Sequence, residues 1–179
     1  MQITTERLLL RPIHQKDAGA VFAYRSDQLT NQYQGWIPET PEDMIDFIQN
    51  RVCAMMNRPG TWFQLVVVSQ QDGAIIGDVG IHFLDPEGYQ AELGCTIAKN
   101  YHGQGYATEA MCAIINFLFN ELNKHRITAS IDPRNTASIK LVERLGFRLE
   151  AHFRESLLLN GVWVDDLVYG ILKNEWKMK

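Results

Sequence analysis

The first apolar run is Leu8-Leu9-Leu10, closed by Arg11-Pro12, and it predicts a short buried strand. The period then changes. Ala18, Val21 and Phe22 fall on one side of a helix predicted over residues 17–26. Residues 27–38, with Tyr33, Gly35, Trp36 and Pro38, lose periodicity and read as a loop. Thr40 is suited to cap the next helix, Pro41 to its first position, and Asp43 loosely imitates the third residue of a capping box. Apolar residues at Met44, Ile45, Ile48, Val52, Met55 and Met56 extend an amphipathic helix that Arg58-Pro59-Gly60 ends. Three strands are predicted next, at 62–68, 75–84 and 91–97. Short turns at Asp72-Gly73 and at 85–88 separate them and favour an antiparallel meander. A long helix entered at Gly103 and Gly105 reaches about residue 120, with Ala107, Ala110, Met111, Ile114, Ile115 and Leu118 as its apolar stripe. A strand at 126–131, a helix at 135–145 stopped by Gly146, a strand from Phe147 and a last strand at 163–172 complete the pattern. Helices, a meander and strand-helix-strand follow one another without repeat or linker. One α/β domain over residues 1–179 is the economical reading.

Composition narrows the function classes. A chain of 179 residues suits one domain, and 46% apolar against 21% charged residues argues against disorder. Seventeen basic and 21 acidic residues give a net charge of -4, so no direct nucleic-acid binding is expected. Cys53, Cys95 and Cys112 are odd in number and widely spaced, which fits neither a disulfide framework nor a zinc cluster. Reduced thiols in the cytoplasm and no bound metal are expected. No stretch of 18 apolar residues predicts a membrane span, and the leucine run at 8–10 is too short for a signal-peptide core.

The segment 91–109, AELGCTIAKNYHGQGYATE, holds the strongest chemical signal. A strand ends near Ile97, and a glycine-bearing loop enters a helix. Gly103 and Gly105 let a ligand approach the backbone. The first helical turn offers free N–H groups and the positive end of the helix dipole, which suit phosphate or pyrophosphate. Lys99 adds a nearby charge. The segment lacks the Gly-Lys-Ser/Thr ending of a nucleoside-triphosphate loop and the three-glycine spacing of a dinucleotide fold. Alone it equally describes a plain helix-entry turn. In the second constellation, 125–147, Asp132-Pro133 breaks a strand and Asn135 is placed either to cap the next helix or to bind a ligand. That helix offers Ile139, Val142 and Leu145 to the core.

Together these segments resemble the GNAT superfamily, the GCN5-related N-acetyltransferases, and within it the bacterial branch that acetylates α-amino groups of ribosomal proteins. The acetyl-CoA motif is matched by His102-Gly103-Gln104-Gly105-Tyr106-Ala107, followed by Thr108-Glu109-Ala110, with His102 in place of the usual Arg or Gln. Asn135-Thr136-Ala137-Ser138, Leu145-Gly146-Phe147 and Ala91-Glu92-Leu93-Gly94 match further motifs, and the resemblance runs from Arg7-Leu8 to Trp176.

The resemblance implies a mixed, mostly antiparallel twisted sheet flanked by helices, with two central strands splayed near Cys95, Thr96 and Ile97. It places pantetheine of the co-substrate acetyl-CoA on the backbone there, and pyrophosphate on His102, Gly103, Gln104, Gly105, Tyr106, Ala107 and Thr108. Asn135 and Ser138 join the cofactor side. The amine attacks the thioester directly, without an acetyl-enzyme. A backbone N–H near Cys95 or Thr96 is expected to polarise the carbonyl. The Tyr that many relatives use to protonate the thiolate is Val142 here, and Ser138 is the branch's replacement. Glu92 is the expected base, acting through water, with His82 and Asp78 as alternatives that share a strand face. Cys95 is read as packing rather than as a nucleophile. On the acceptor side the expected contacts are Tyr33, Trp36, His82 and Glu92, with Ile37, Glu39, Glu42 and Asp43 nearby. The acceptor stays open between a protein N-terminus, such as a ribosomal protein's, and a small amine: a polyamine, an amino acid or an antibiotic. A non-catalytic acetyl-CoA sensor is the third reading. Either a monomer or a homodimer is compatible, with Trp163, Val164 and Leu167 able to pair between subunits or to finish one sheet.

Overall fold

A computed structural model describes residues 1–159 and 161–177. Eight strands form one sheet in the order β1 (Ile3–Thr4), β2 (Leu8–Pro12), β3 (Thr61–Ser69), β4 (Ile75–Phe83), β5 (Gln90–Ile97), β6 (Arg126–Ile131), β8 (Val162–Leu172) and β7 (Arg148–Leu159). All neighbours are antiparallel except β5 and β6. The α/β expectation therefore holds, meander included. β1 was not foreseen, because two residues carry no readable period.

Alternation along the strands sorts the sheet into two faces. One face carries Phe63, Leu65, Val79, Ile81, Leu93, Ile127, Ala129, Leu167 and Tyr169. It is covered by α4 (Tyr106–Asn120), through Ala110, Met111, Ile114, Ile115 and Leu118, and by α5 (Thr136–Leu145), through Val142 and Leu145. This is the main core. On the other face Val66 and Val68 pack under α1 (Ala18–Arg25) and α3 (Pro41–Asp46), against Val21, Tyr24 and Met44.

Two predicted segments differ. The helix expected to run from Thr40 past Met55 keeps its capping box: Thr40 and Asp43 bond each other's backbone N–H. It is α-helical only to Asp46, passes through a π-turn over Phe47–Arg51, and becomes extended at Val52. There Val52 bridges Trp62, and the Cys53 N–H donates to the Trp62 carbonyl at 2.8 Å. Pairing with the start of β3 takes the backbone that the helical period had claimed. The segment 27–38, read as loop, contains α2 (Gln28–Asn31), capped by Asp27 Oδ1 accepting from the Leu29 N–H at 3.0 Å.

The feature that positions the site is the parting of β5 from β6. β5 pairs with β4 from Gly77↔Ile97 through Phe83↔Ala91. Its partnership with β6 covers only Gln90↔Arg126, Ala91↔Ile127 and Glu92↔Thr128. Beyond Thr128, β6 stays with β8 as far as Ile131↔Leu167. From Leu93 to Ile97, then, one edge of β5 lacks a strand neighbour. Gly77 keeps the other edge close: a Cβ there would lie 2.3 Å from the Thr96 carbonyl oxygen.

Asp78, fully buried beneath α1, ties that helix to β4. It accepts from Tyr24 Oη at 2.5 Å, from Arg25 Nε at 2.8 Å and from Gln64 Nε2 at 2.7 Å, and Arg25 Nη2 completes a two-pronged ion pair. Asp78→Ala strands Arg25 without its counter-ion. A loss of about 3 kcal/mol or more is expected by urea denaturation, whereas Arg148→Ala, which breaks the pair that exposed Arg148 makes with Glu175, changes stability by less than about 1 kcal/mol.

Candidate active site

The glycine loop follows the end of β5. Ala98 to Tyr101 make a short turn, and His102 Nε2 bonds the Ile97 carbonyl oxygen at 2.6 Å, fastening the loop to the strand. Gly103 and Gly105 have φ of 73° and 83°, and Gly105 caps α4 without a side-chain cap bond. Both glycines sit where side chains other than Gly are strained. The backbone N–H groups of Tyr106, Ala107 and Thr108 open a fifteen-residue helix, so the dipole adds to their donor capacity. Gln104 is turned back on the loop, its Nε2 donating to the Asn100 carbonyl at 3.0 Å. These features fit a pyrophosphate, since the loop offers backbone donors unobstructed by side chains.

The loop is held from outside by Arg7, which the sequence analysis left without a role. Its Nη1 donates to the Gln104 carbonyl at 3.0 Å, its Nε to Glu109 Oε2 at 2.6 Å, and its guanidinium lies 4.4 Å from the Tyr106 ring centre. Glu109 also accepts from Thr5 Oγ1 at 2.6 Å and from the Arg7 N–H at 2.9 Å. These contacts hold the Glu109 carboxyl below its usual range against the desolvation that opposes them. No local signal in the sequence pairs residues 7 and 109, because the contact exists only through the sheet.

Across the parting, Asn135 caps α5, its Oδ1 accepting from the Ser138 N–H at 3.1 Å. Asn135 Oδ1 is thus engaged in the cap, and half-buried Ser138 stands in the first turn. Arg144 from α5 reaches Thr108 on α4, Nη1 to Oγ1, at 3.2 Å. Cys95 is half-buried against the main core, and desolvation pushes its thiol up to about 12, with the Asp78 charge adding to the effect. It is therefore protonated near neutrality, as packing requires and nucleophilic attack does not.

The second face of the sheet becomes polar where α1 and α3 no longer cover it. Cross-strand register aligns Trp62, His82, Glu92 and Thr128 in one row. A second row holds Gln64, Gly80 and Gly94. Trp62 stacks on His82 with ring centres 4.7 Å apart and leans over Gly80, where a Cβ would come within 3.1 Å of its ring. A Cβ on exposed Gly94 would meet nothing within 4 Å, so the floor is open between Glu92 and Thr96. His82 Nδ1 lies 3.8 Å from Glu92 Oε2. Burial raises the proton affinity of Glu92, His82 opposes that rise, and the Asp166 carboxylate adds to it.

The loop between α2 and α3 borders this floor. Gln34 Nε2 reaches Thr96 Oγ1 at 3.4 Å, and the Tyr33 ring lies 5.7 Å from the Arg134 guanidinium, itself paired with Asp132. Trp36 stacks on Phe47 at 5.1 Å and packs in the α1–α3 core, so it anchors the loop. Of the two alternatives to Glu92, His82 stands beside it, whereas Asp78 is bound by Tyr24, Arg25 and Gln64. Val164 and Leu167 are buried within the chain's own sheet, and Trp163 is 59% exposed. Among the described residues no helix is long and apolar enough to cross a membrane.

Residues 7–148 match the family model described as an acetyltransferase (GNAT) domain. The chain is 34% identical to the uncharacterized N-acetyltransferase YnaD of Bacillus subtilis (strain 168), covering 98% of this chain and 99% of that one. It is 28% identical to the [ribosomal protein uS5]-alanine N-acetyltransferase of Escherichia coli (strain K12), covering 98% and 93%. Among solved structures, a GNAT-family acetyltransferase from Bacillus anthracis superposes with a TM-score of 0.86 at 31% identity, covering 98% and 100%. The chain belongs to the GNAT acetyltransferases and is an acetyl-CoA-dependent N-acetyltransferase.

Proposed function

We propose that residues 1–179 act as one cytoplasmic enzyme domain that acetylates the α-amino group of a protein N-terminus, a ribosomal protein's among the candidates, by direct attack in a ternary complex. The observation that carries this reading is the open polar floor at Gly94 with Glu92 standing beside it. An extended chain end can lie on such a floor. An α-amine, with a pKa of about 8, also needs a much weaker base than a lysine or polyamine amine near about 10. A carboxylate of raised proton affinity answers that need, and the 28% identity to an enzyme named for a ribosomal-protein alanine supports the same acceptor class.

In this reading His102 to Thr108 hold the pyrophosphate, and the free edge of β5 at Cys95, Thr96 and Ile97 holds pantetheine. The thioester carbonyl oxygen accepts from a β5 backbone N–H. Glu92, through a water, takes the ammonium proton. The neutral nitrogen then attacks the carbonyl carbon, the carbon–sulfur bond breaks, and sulfur leaves with the electron pair. The Ser138 hydroxyl donates to that sulfur, which ends as a thiol. His82 and Trp62 wall the acceptor floor and fix the Glu92 carboxyl. Tyr33 borders it from the loop, while Trp36 supports that loop from behind.

Three outcomes test the reading. Product mass spectrometry with acetyl-CoA is expected to show acetyl on the α-nitrogen of an Ala-initiated tetrapeptide amide. Acetylation of spermidine alone would reject the acceptor assignment and keep the enzyme class. Gly105→Ala, at φ 83°, is expected to weaken acetyl-CoA binding in calorimetry about tenfold. Gly73→Ala, at φ 73° in a β3–β4 turn, is expected to cost similar stability and leave binding unchanged.

Glu92→Gln is expected to lower kcat/KM about 100-fold and to remove the acid limb of its pH profile. It also gives a stability signature of opposite sign. The folded chain holds the Glu92 proton more tightly than the ordinary value of 4.5 implies. Glu92 therefore contributes stability below that value and loses it as pH rises through the folded one. Glu92→Gln should melt higher than the parent at neutral pH, by a margin that shrinks toward pH 4.

A further inference from the structure

Four aspartates are buried: Asp17, Asp78, Asp132 and Asp166. Three have an arginine. Asp17 pairs with Arg11 at 2.7 Å, Asp132 with Arg134 at 2.5 Å, and Asp78 with Arg25. Asp166, 8% exposed on β8, accepts from Ser130 Oγ at 2.7 Å, a neutral donor, and no ion pair reaches it among the described residues. A buried carboxylate without a counter-cation is costly and ordinarily either pairs or gives up its charge. The position of Asp166 gives the omission a meaning. The Ser130 bond puts it on the polar face, since Ser130 lies two residues beyond Thr128, the last β6 residue paired with β5 and the one opposite Glu92. On β7, Phe153 is its cross-strand neighbour and is 51% exposed. Asp166 and Glu92 thus lie on either side of the parting and close enough to interact electrostatically.

We propose that Asp166 is an acceptor-binding residue, whose missing cation is the ammonium group of the amine substrate, held there before its proton passes to Glu92. The inference rests on the acceptor face and base assigned above. Ser130 orients the Asp166 carboxyl, and Phe153 supplies an apolar wall for the carbon next to the amine. The two acids have separate tasks. Asp166 binds the ammonium group. Glu92, whose proton affinity the Asp166 charge raises, accepts the proton. The titratable groups facing Glu92 are His82 from β4 and Asp166 from β8, while Trp62 from β3 and Thr128 and Ser130 from β6 do not titrate.

Asp166→Asn tests this, because an amide oxygen still accepts from Ser130. Steady-state kinetics use the Ala-initiated tetrapeptide amide and spermidine in parallel. With whichever is acetylated, KM for the amine should rise about tenfold or more, while KM for acetyl-CoA is unchanged. The acid limb of kcat/KM should move to lower pH, since Glu92 loses a neighbouring negative charge. The variant should also melt at a higher temperature, because a buried unpaired charge has gone. Asp165→Asn serves as control: its carboxylate engages His152 at 2.6 Å and the Glu155 N–H. It should move neither amine KM nor acid limb. If Asp166→Asn leaves amine KM and acid limb where they were, or melts lower, the assignment is wrong. An acid limb that survives Glu92→Gln overturns the base instead, and an amine KM that still rises in Asp166→Asn then keeps the binding role.

Discussion

The arrangement depends on β5 keeping one neighbour and releasing the other. A strand in mid-sheet ordinarily spends both edges on hydrogen bonds, and a buried backbone group left unpaired costs free energy. β5 pairs fully with β4 and parts from β6 after Glu92↔Thr128. His102 meets the Ile97 carbonyl oxygen at the end of the released segment, and in the proposed reaction pantetheine supplies hydrogen bonds to the rest of the free edge. The same parting lies between the face covered by α4 and α5 and the polar face. Loop and acceptor floor lie on opposite sides of one strand, so two substrates can meet there without sharing an entrance.

Burial of the aspartates follows one rule and one exception. Asp17, Asp78 and Asp132 sit in ion pairs: Asp17 ties the start of α1 to β2, Asp78 joins α1 to β4 beneath the covered face, and Asp132 pairs with Arg134 inside its own turn. Such pairs are poor sources of net stability, yet losing one partner is expensive, so they fix which elements meet. On the acceptor face the balance is left open. Glu92 has only a histidine at 3.8 Å, and Asp166 has a hydroxyl. A site that must receive a cation and remove its proton cannot be neutralised beforehand by an arginine. The stability forgone there is a consequence of the reaction proposed for it.

What the sequence made legible were features written in consecutive residues. The α4 stripe, the Asn135 cap, the Gly146 stop and the Gly103–Gly105 loop each combine local period with local conformation, and the structure places all four as read. Features made by the sheet were not legible. Arg7 and Glu109 meet only because β2 lies beside α4. Asp165-Asp166 offered a weak signal, two acids in an otherwise apolar strand. Alternation says that they face opposite ways, but not which one faces the substrate. The helix past Asp46 failed for a related reason: Val52 and Cys53 are claimed by Trp62, a partner the 3.6-residue period cannot see.

His102 shows how a departure from a motif is absorbed by geometry. An Arg or Gln at the start of the loop would add a long donor toward the phosphates. The shorter imidazole turns inward and bonds the Ile97 carbonyl oxygen, the last residue of β5. Its contribution is therefore to the position of the loop, while the backbone donors after Gly105 remain to meet the charge. At the other end of the same strand, the His82 ring sits between Trp62 and Glu92. Two histidines thus fix the two ends of β5 on either side of the parting. The strand that has parted from β6 keeps its whole ladder with β4, and in the proposed reaction the loop and the Glu92 carboxyl mark the two ends between which the substrates must react.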